Sequence, residues 1–186
     1  MEAALSVIAD RGLATTRISD IADRAGMSPG HVMYYFRSKD LVLMEALRYV
    51  EDRMHEEVAT ELASIAPGPL RLRRLLELNM PDGPADPGWA LWLEAWTLAS
   101  HDDDVRALVA ELEARWVSLL TDVIRTGVEA KAFRCRDVAA AVTHIYATIN
   151  GLAVQVVTGA DGMTFARALE ACLRAAETEF GAGGRR

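Results

Sequence analysis

Three groups of side chains in this 186-residue chain stand at spacings that could carry chemistry. Ser28, Pro29, Gly30, His31, Met33, Tyr34 and Tyr35 fall within two helical turns. An imidazole and two phenols on one short helix offer hydrogen bonds and ring faces to phosphates, base edges and thymine methyls. Trp89, Trp92 and Trp96 repeat at i, i+3 and i+7, which places all three on one helix face. With Trp116 they could wall a cavity for a flat or cationic ligand, and Met80, His144, Tyr146 and Asn150 could add adaptable or polar contacts. The plainer expectation for any one of these indoles is hydrophobic core, and for His144 a satisfied core position. The third group, His101-Asp102-Asp103-Asp104, imitates a metal cluster. Adjacent residues do not share a helix face, so Asp102 or Asp103 is better read as a helix cap.

Enzyme signatures do not emerge. His55-Glu56-Glu57 lacks the second histidine of a zinc helix. The chain has no G-x-S-x-G elbow, phosphate-binding glycine loop or dinucleotide fingerprint. Cys135 and Cys172 form no C-x-x-C pair and fit no nucleophile pattern; they suit free thiols in a reducing cytoplasm. The reading is therefore not an enzyme, with no metal and no cofactor.

The elements that position the first group can be read from caps and breakers. Thr16 is expected to cap a helix over about 17–25, whose inward face is Ile18, Ile21, Ala22 and Ala25. Gly26 permits the positive φ of a sharp turn. Ser28 then caps a second helix, with Pro29 at its first position, where a missing N–H costs nothing. Two short helices joined by a glycine turn form the DNA-reading helix-turn-helix, whose second helix enters the major groove. Ser38 caps the next helix, whose N-terminal N–H groups and Lys39 can hold a further phosphate. Thr16, Arg17 and Lys39 thus join the candidates on the reading helix as the DNA contacts.

The rest of the chain is read as helix throughout. Period-2 alternation is absent, while 3.6-period stripes recur. Breakers at Pro67–Pro69, Pro81–Gly88 and Gly159–Gly162 leave about nine helices, an all-α fold. The first runs to Arg11, with Leu5, Ile8 and Ala9 inward. Those after the reading helix fall near 39–65, 69–79, 88–100, 104–131, 137–158 and 163–180. The expected organisation is a three-helix helix-turn-helix domain over 1–47 and a ligand-binding and dimerisation domain over 48–186. The most apolar stretch, Val138 to Val157, is broken by His144, Asn150 and Gln155, so a buried helix is expected rather than a membrane span. No cleavable leader is read at the N-terminus.

Charge is unevenly spread. The chain has 20 Lys+Arg against 27 Asp+Glu, net −7, and is 51% apolar. Residues 1–48 hold six basic and six acidic groups, so the acidity lies in the remainder. A purely electrostatic nucleic-acid binder would look different.

The helix over 137–158 has a bulky stripe and a small-residue stripe of Ala140, His144, Ala147, Gly151 and Gln155. The last helix presents Phe165, Leu169, Leu173 and Ala176. Small residues let helices approach closely, so two such helices from each of two chains could build a homodimer interface.

Residues 4–47 resemble the DNA-binding domain of TetR/AcrR-type transcriptional regulators. The resemblance rests on Ala-Asp-Arg-Gly at 9–12, Ile-Ala-Asp-Arg-Ala-Gly-Met-Ser at 21–28, Gly30, Tyr34-Tyr35-Phe36 and Ser-Lys-Asp-Leu at 38–41. Residues 89–158 look like the C-terminal domain of the BetI-like branch, with Trp-Leu-Glu-Ala-Trp at 92–96. The resemblance implies a homodimer that binds a double-stranded DNA operator and is released from it by a small molecule. Met33 stands where the family usually has an aromatic residue. Helix one opens almost at Met1, where relatives usually carry another turn and a basic arm. Either the start lies further upstream or DNA is gripped with less charge. The second possibility keeps open a different reading, a small-molecule-binding or protein-interaction module with a weakened helix-turn-helix.

Overall fold

A computed structural model of the chain describes residues 1–180 apart from Leu13, Ala14, Arg37 and Ala85, and apart from the side chains of Ala9 and Lys39. Among the described residues there are nine α-helices and no strand. They are α1 (Glu2–Arg11), α2 (Ile18–Ala25), α3 (Pro29–Tyr35), α4 (Lys39–Ser64), α5 (Pro69–Asn79), α6 (Pro87–Ala99), α7 (Asp103–Glu129), α8 (Val138–Thr158) and α9 (Phe165–Glu179), with a 3₁₀ turn at Ala160–Gly162.

The helix ends follow their cap residues. Gly26 closes α2 in the left-handed region (φ 66°, ψ 30°), and its N–H returns to the Ala22 and Asp23 carbonyls. Ser28 Oγ accepts the His31 N–H at 3.2 Å, with Pro29 as the first residue of α3. Ser38 Oγ accepts from Leu41 N at 3.2 Å at the start of α4. Asp102 Oδ1 accepts from Asp104 N and Val105 N at 2.9 and 3.0 Å, which settles what the 101–104 run does.

Thr16 is a correction. It is buried, and its hydroxyl donates to the Gly12 carbonyl at 2.8 Å. The residue that flanks α2 is Arg17, whose N–H bonds to Asp20 Oδ2 at 3.0 Å. A hydroxyl beside a helix can cap forward or bond back. Here it bonds back, and it has no free surface to offer a phosphate.

The chain divides into two compact units, Met1–Arg53 with Pro87–Leu112, and Met54–Asp86 with the chain from Glu113 on. In this division Pro87–Leu112 joins the N-terminal residues. In the first unit, Ala4, Val7, Ile21, Ala22, Val32 and Val42 form one buried cluster, flanked by Met1, Ile18 and Phe36. Each of the first three helices thus spends its apolar stripe on a shared core. In α4, Leu43, Leu47, Val58 and Leu62 are buried while Val50 and Met54 are half-buried.

In the second unit α8 packs on α9. Val142, Ile145, Ile149 and Val156 are buried, as are Ala168, Leu169, Cys172 and Ala176. By length and composition α8 could cross a membrane, but it carries these buried positions on the face toward its own chain. Leu169 and Ala176, expected in an inter-chain face, are instead 5% and 1% exposed. They belong to the inward stripe of α9 and are not available to a second chain. Ala147 and Gly151 are exposed, and Ala140, Gln155, Phe165 and Leu173 are half-exposed.

Candidate DNA-reading helix and aromatic effector site

Only Val32 anchors α3 to the core. The other face is left to solvent: Tyr34 is 80% exposed, Tyr35 63% and Met33 43%. Large apolar surface in water is unfavourable, so a contiguous exposed aromatic patch marks a binding face. The rings are organised. His31 stacks on Tyr35 (centroids 5.4 Å apart, planes at 28°), and Tyr34 meets Tyr35 edge-on at 5.5 Å. Pro29 and Gly30 are exposed at the helix start, and a Cβ added at Gly30 would meet nothing within 4 Å. Lys39 opens α4, but its side chain lies outside the described residues, as does Arg37.

The charge around this helix is partly spent within the fold. Arg11 pairs with Asp20 at 3.1 Å. Arg24 pairs with Asp10 at 2.8 Å and also bonds Ser6. Arg17 is exposed and makes no ion pair among the described residues.

The second arrangement lies on α6. Trp92 is buried, with Trp89 and Trp96 half-buried beside it. Trp96 sits 6.0 Å from Trp89 and 5.6 Å from Trp92 between ring centroids, at tilts of 63° and 42°. The indole N–H of Trp92 donates to Glu51 Oε1 at 2.7 Å, and Glu51 is 3% exposed. Three ring faces and a buried carboxylate are the chemistry that recognises an organic cation. Glu51 is not among the candidates read from the sequence, because a lone carboxylate carries no motif. The signal was there: Leu43, Leu47 and Glu51 step by four along α4, with Val58 and Leu62 continuing the face.

Near Glu51, Arg48 makes a two-pronged ion pair with Glu111 of α7, Nη1 to Oε1 at 2.8 Å and Nη2 to Oε2 at 3.2 Å. Glu111 holds the guanidinium above its ordinary pKa, against a small desolvation cost, and Glu45 and Asp52 add to it. The pair borders an open cleft of about 550 Å³ whose walls include Leu41, Met44, Asp104 and Leu108.

The remaining sequence candidates for the ligand fall in the second unit. Trp116 and Met80 are buried, and His55 lies edge-on to Trp116 at 6.3 Å. Tyr146 and Asn150 are half-buried. His144 is a correction to both of its expected roles, core position and cavity wall. It is exposed, with Nδ1 2.8 Å from Glu179 Oε1, because its neighbours Val142, Ile145 and Ile149 take the inward face of α8.

Among the described residues, no group of three or more His, Cys, Asp or Glu is placed to hold a metal. Both cysteines are free. Burial pushes the Cys172 thiol up to about 11, which leaves it protonated at neutral pH and a poor nucleophile.

Comparison with known proteins adds the following. Residues 1–46 match the model of the N-terminal domain of bacterial regulatory proteins of the tetR family, and residues 69–181 match the C-terminal domain of BetI-type transcriptional repressors. A crystal structure of a transcriptional regulator from Saccharomonospora viridis in complex with choline superposes with a TM-score of 0.84 at 35% identity, covering 92% of this chain and 90% of that one. A TetR-family regulator from a Rhodococcus species superposes with a TM-score of 0.75 at 26% identity, covering 97% and 95%. The transcriptional regulator BetI of Burkholderia thailandensis is 31% identical over 110 residues, which is 58% of this chain; the match spans about half of that relative, 56% of its length.

Proposed function

Because the chain belongs to the TetR family of regulators and carries the family's BetI-type C-terminal domain, we propose that it is a cytoplasmic, dimeric repressor released from its operator by a small quaternary ammonium ion of the choline class. The uncovered aromatic face of α3 supports DNA reading, each chain of the dimer taking one half-site about 34–36 Å from the other. Arg17, Ser28, Gly30, His31, Met33, Tyr34, Tyr35 and Lys39 supply the contacts.

The observation that carries the effector reading is the Trp89–Trp92–Trp96 cluster with the buried Glu51 hydrogen-bonded to Trp92. A quaternary ammonium cannot donate a hydrogen bond and is recognised by ring faces and by a fixed negative charge. The S. viridis regulator, crystallised with choline, supports the same class of ligand here.

Release follows from linkage. The effector must bind the DNA-free setting more tightly than the DNA-bound one. A coupling of about 1–3 kcal/mol would lower operator affinity roughly 5- to 150-fold. Only three residues separate the end of α3 from the start of α4, so displacement of α4 re-aims the reading helix.

The test is a duplex selected from a random pool by the protein itself, followed by fluorescence anisotropy with choline added. Release at choline concentrations that also quench tryptophan emission supports the reading. Retention on DNA at saturating choline overturns the effector assignment, and failure to enrich any duplex overturns the whole.

A further inference from the structure

The carboxylate beside the tryptophans is a residue of α4, the helix that follows the reading helix directly. A cation that draws on Glu51 therefore acts on α4 itself. Arg48 lies three residues earlier, one turn away, and is bound by both oxygens of Glu111 on α7. Two of the polar ties that α4 makes at this level thus reach two different helices. The Glu51–Trp92 tie is buried, and the Arg48–Glu111 tie is exposed, its side chains 39% and 52% accessible.

The two ties differ in what can loosen them. A ligand among the indoles competes for Glu51 and leaves Arg48 and Glu111 untouched. An exposed ion pair is weak, so it can bias a balance between two settings of α4 without locking it. Beside the pair lies the open cleft rather than packed side chains, which leaves it as a discrete contact that can be made or lost.

We propose that the Arg48–Glu111 ion pair is a positioning tie that holds α4 in its DNA-binding setting against the pull of a cation at Glu51. This rests on reading the tryptophan cluster as the effector site. The pair touches neither DNA nor ligand, and it sets the concentration of effector needed for release.

The experiment measures choline affinity of the DNA-free protein by tryptophan quenching and operator affinity without choline by anisotropy, in the wild type, Arg48→Ala, Glu111→Gln and the double variant. If the pair favours the DNA-binding setting, its loss tightens choline and weakens operator binding. For two states the two factors multiply to the factor by which the pair biased them, about 2- to 5-fold for an exposed pair. Both single variants and the double variant give the same product. A general loss of stability would weaken both ligands instead. A product of one, or weaker choline binding in the variants, overturns the proposal while the effector site stands. A wild type that shows no choline quenching overturns both.

Discussion

The indole nitrogen of Trp92 and the carboxylate of Glu51 are 2.7 Å apart in a buried hydrogen bond. The bond joins the aromatic cluster on α6 to the helix that leaves the reading head. Its two halves can be separated by substitution, because the charge of Glu51 and its acceptor oxygen do different work.

Glu51→Gln keeps an acceptor for the Trp92 N–H and removes the charge. Its expected effect is on the ligand: at least tenfold weaker choline binding, with operator binding in the absence of choline retained. Glu51→Leu removes the acceptor as well and leaves the indole N–H buried without a partner, at a cost of about 1–3 kcal/mol. That variant should melt earlier by several degrees. Quenching titrations and thermal melts read the two effects separately. Equal choline affinity in wild type and Glu51→Gln would remove Glu51 from the effector site.

Tyr34 offers the opposite separation. At 80% exposure it contributes little to the core, so Tyr34→Ala should leave the melting temperature within a degree or two. A hydrogen bond to a charged phosphate is worth about 1.5–3 kcal/mol, so operator affinity should fall roughly 10- to 150-fold. Undiminished binding to the selected duplex would take α3 out of the interface.

Much of this was legible in the residues themselves. The helix ends that the sequence predicts lie within about two residues of those in the structure because Gly26, Ser28, Pro29, Asp102 and Gly159 act locally, through their own backbone geometry and nearest N–H groups. What stayed hidden depends on contacts distant in sequence. Thr16 could cap or bond back, and only the approach of Gly12 decides. Glu51 is in phase with Leu43 and Leu47, but the carboxylate in that phase is bonded by Trp92, forty-one residues later. On α9, Leu169, Leu173 and Ala176 share an apolar pattern, yet two are covered by their own chain and Leu173 is half-exposed. Periodicity shows that a face is apolar and does not show which molecule covers it.

The small-residue face of α8 gives a direct test of the dimer. Ala147 is exposed on the chain described here, so Ala147→Arg fits the isolated chain without displacing core residues. Placed in a close helix–helix contact between chains, the guanidinium would be buried without a partner, which costs several kcal/mol. The expected outcome is a folded monomer by sedimentation and a loss of operator affinity to the level of a single half-site. A dimer that persists in this variant would place the interface on another surface.

The ion pairs around the reading head predict how binding responds to salt. Each phosphate neutralised by a cationic side chain steepens the decline of log K with log salt by about 0.9 on duplex DNA. Arg11 and Arg24 are engaged by Asp20 and Asp10, so neither guanidinium is at liberty to replace a counterion unless its partner lets go. Arg17 is exposed without an ion pair among the described residues. Arg17→Ala should therefore flatten the slope by about 1, while Arg24→Ala leaves it unchanged within error. If Arg24→Ala flattens the slope as much as Arg17→Ala, the Asp10 pair opens on DNA and the charge available for gripping is larger than the free protein suggests. If the wild-type slope is itself near zero, phosphate contacts are not what holds the duplex, and the reading as an interaction module with a weakened helix-turn-helix takes over.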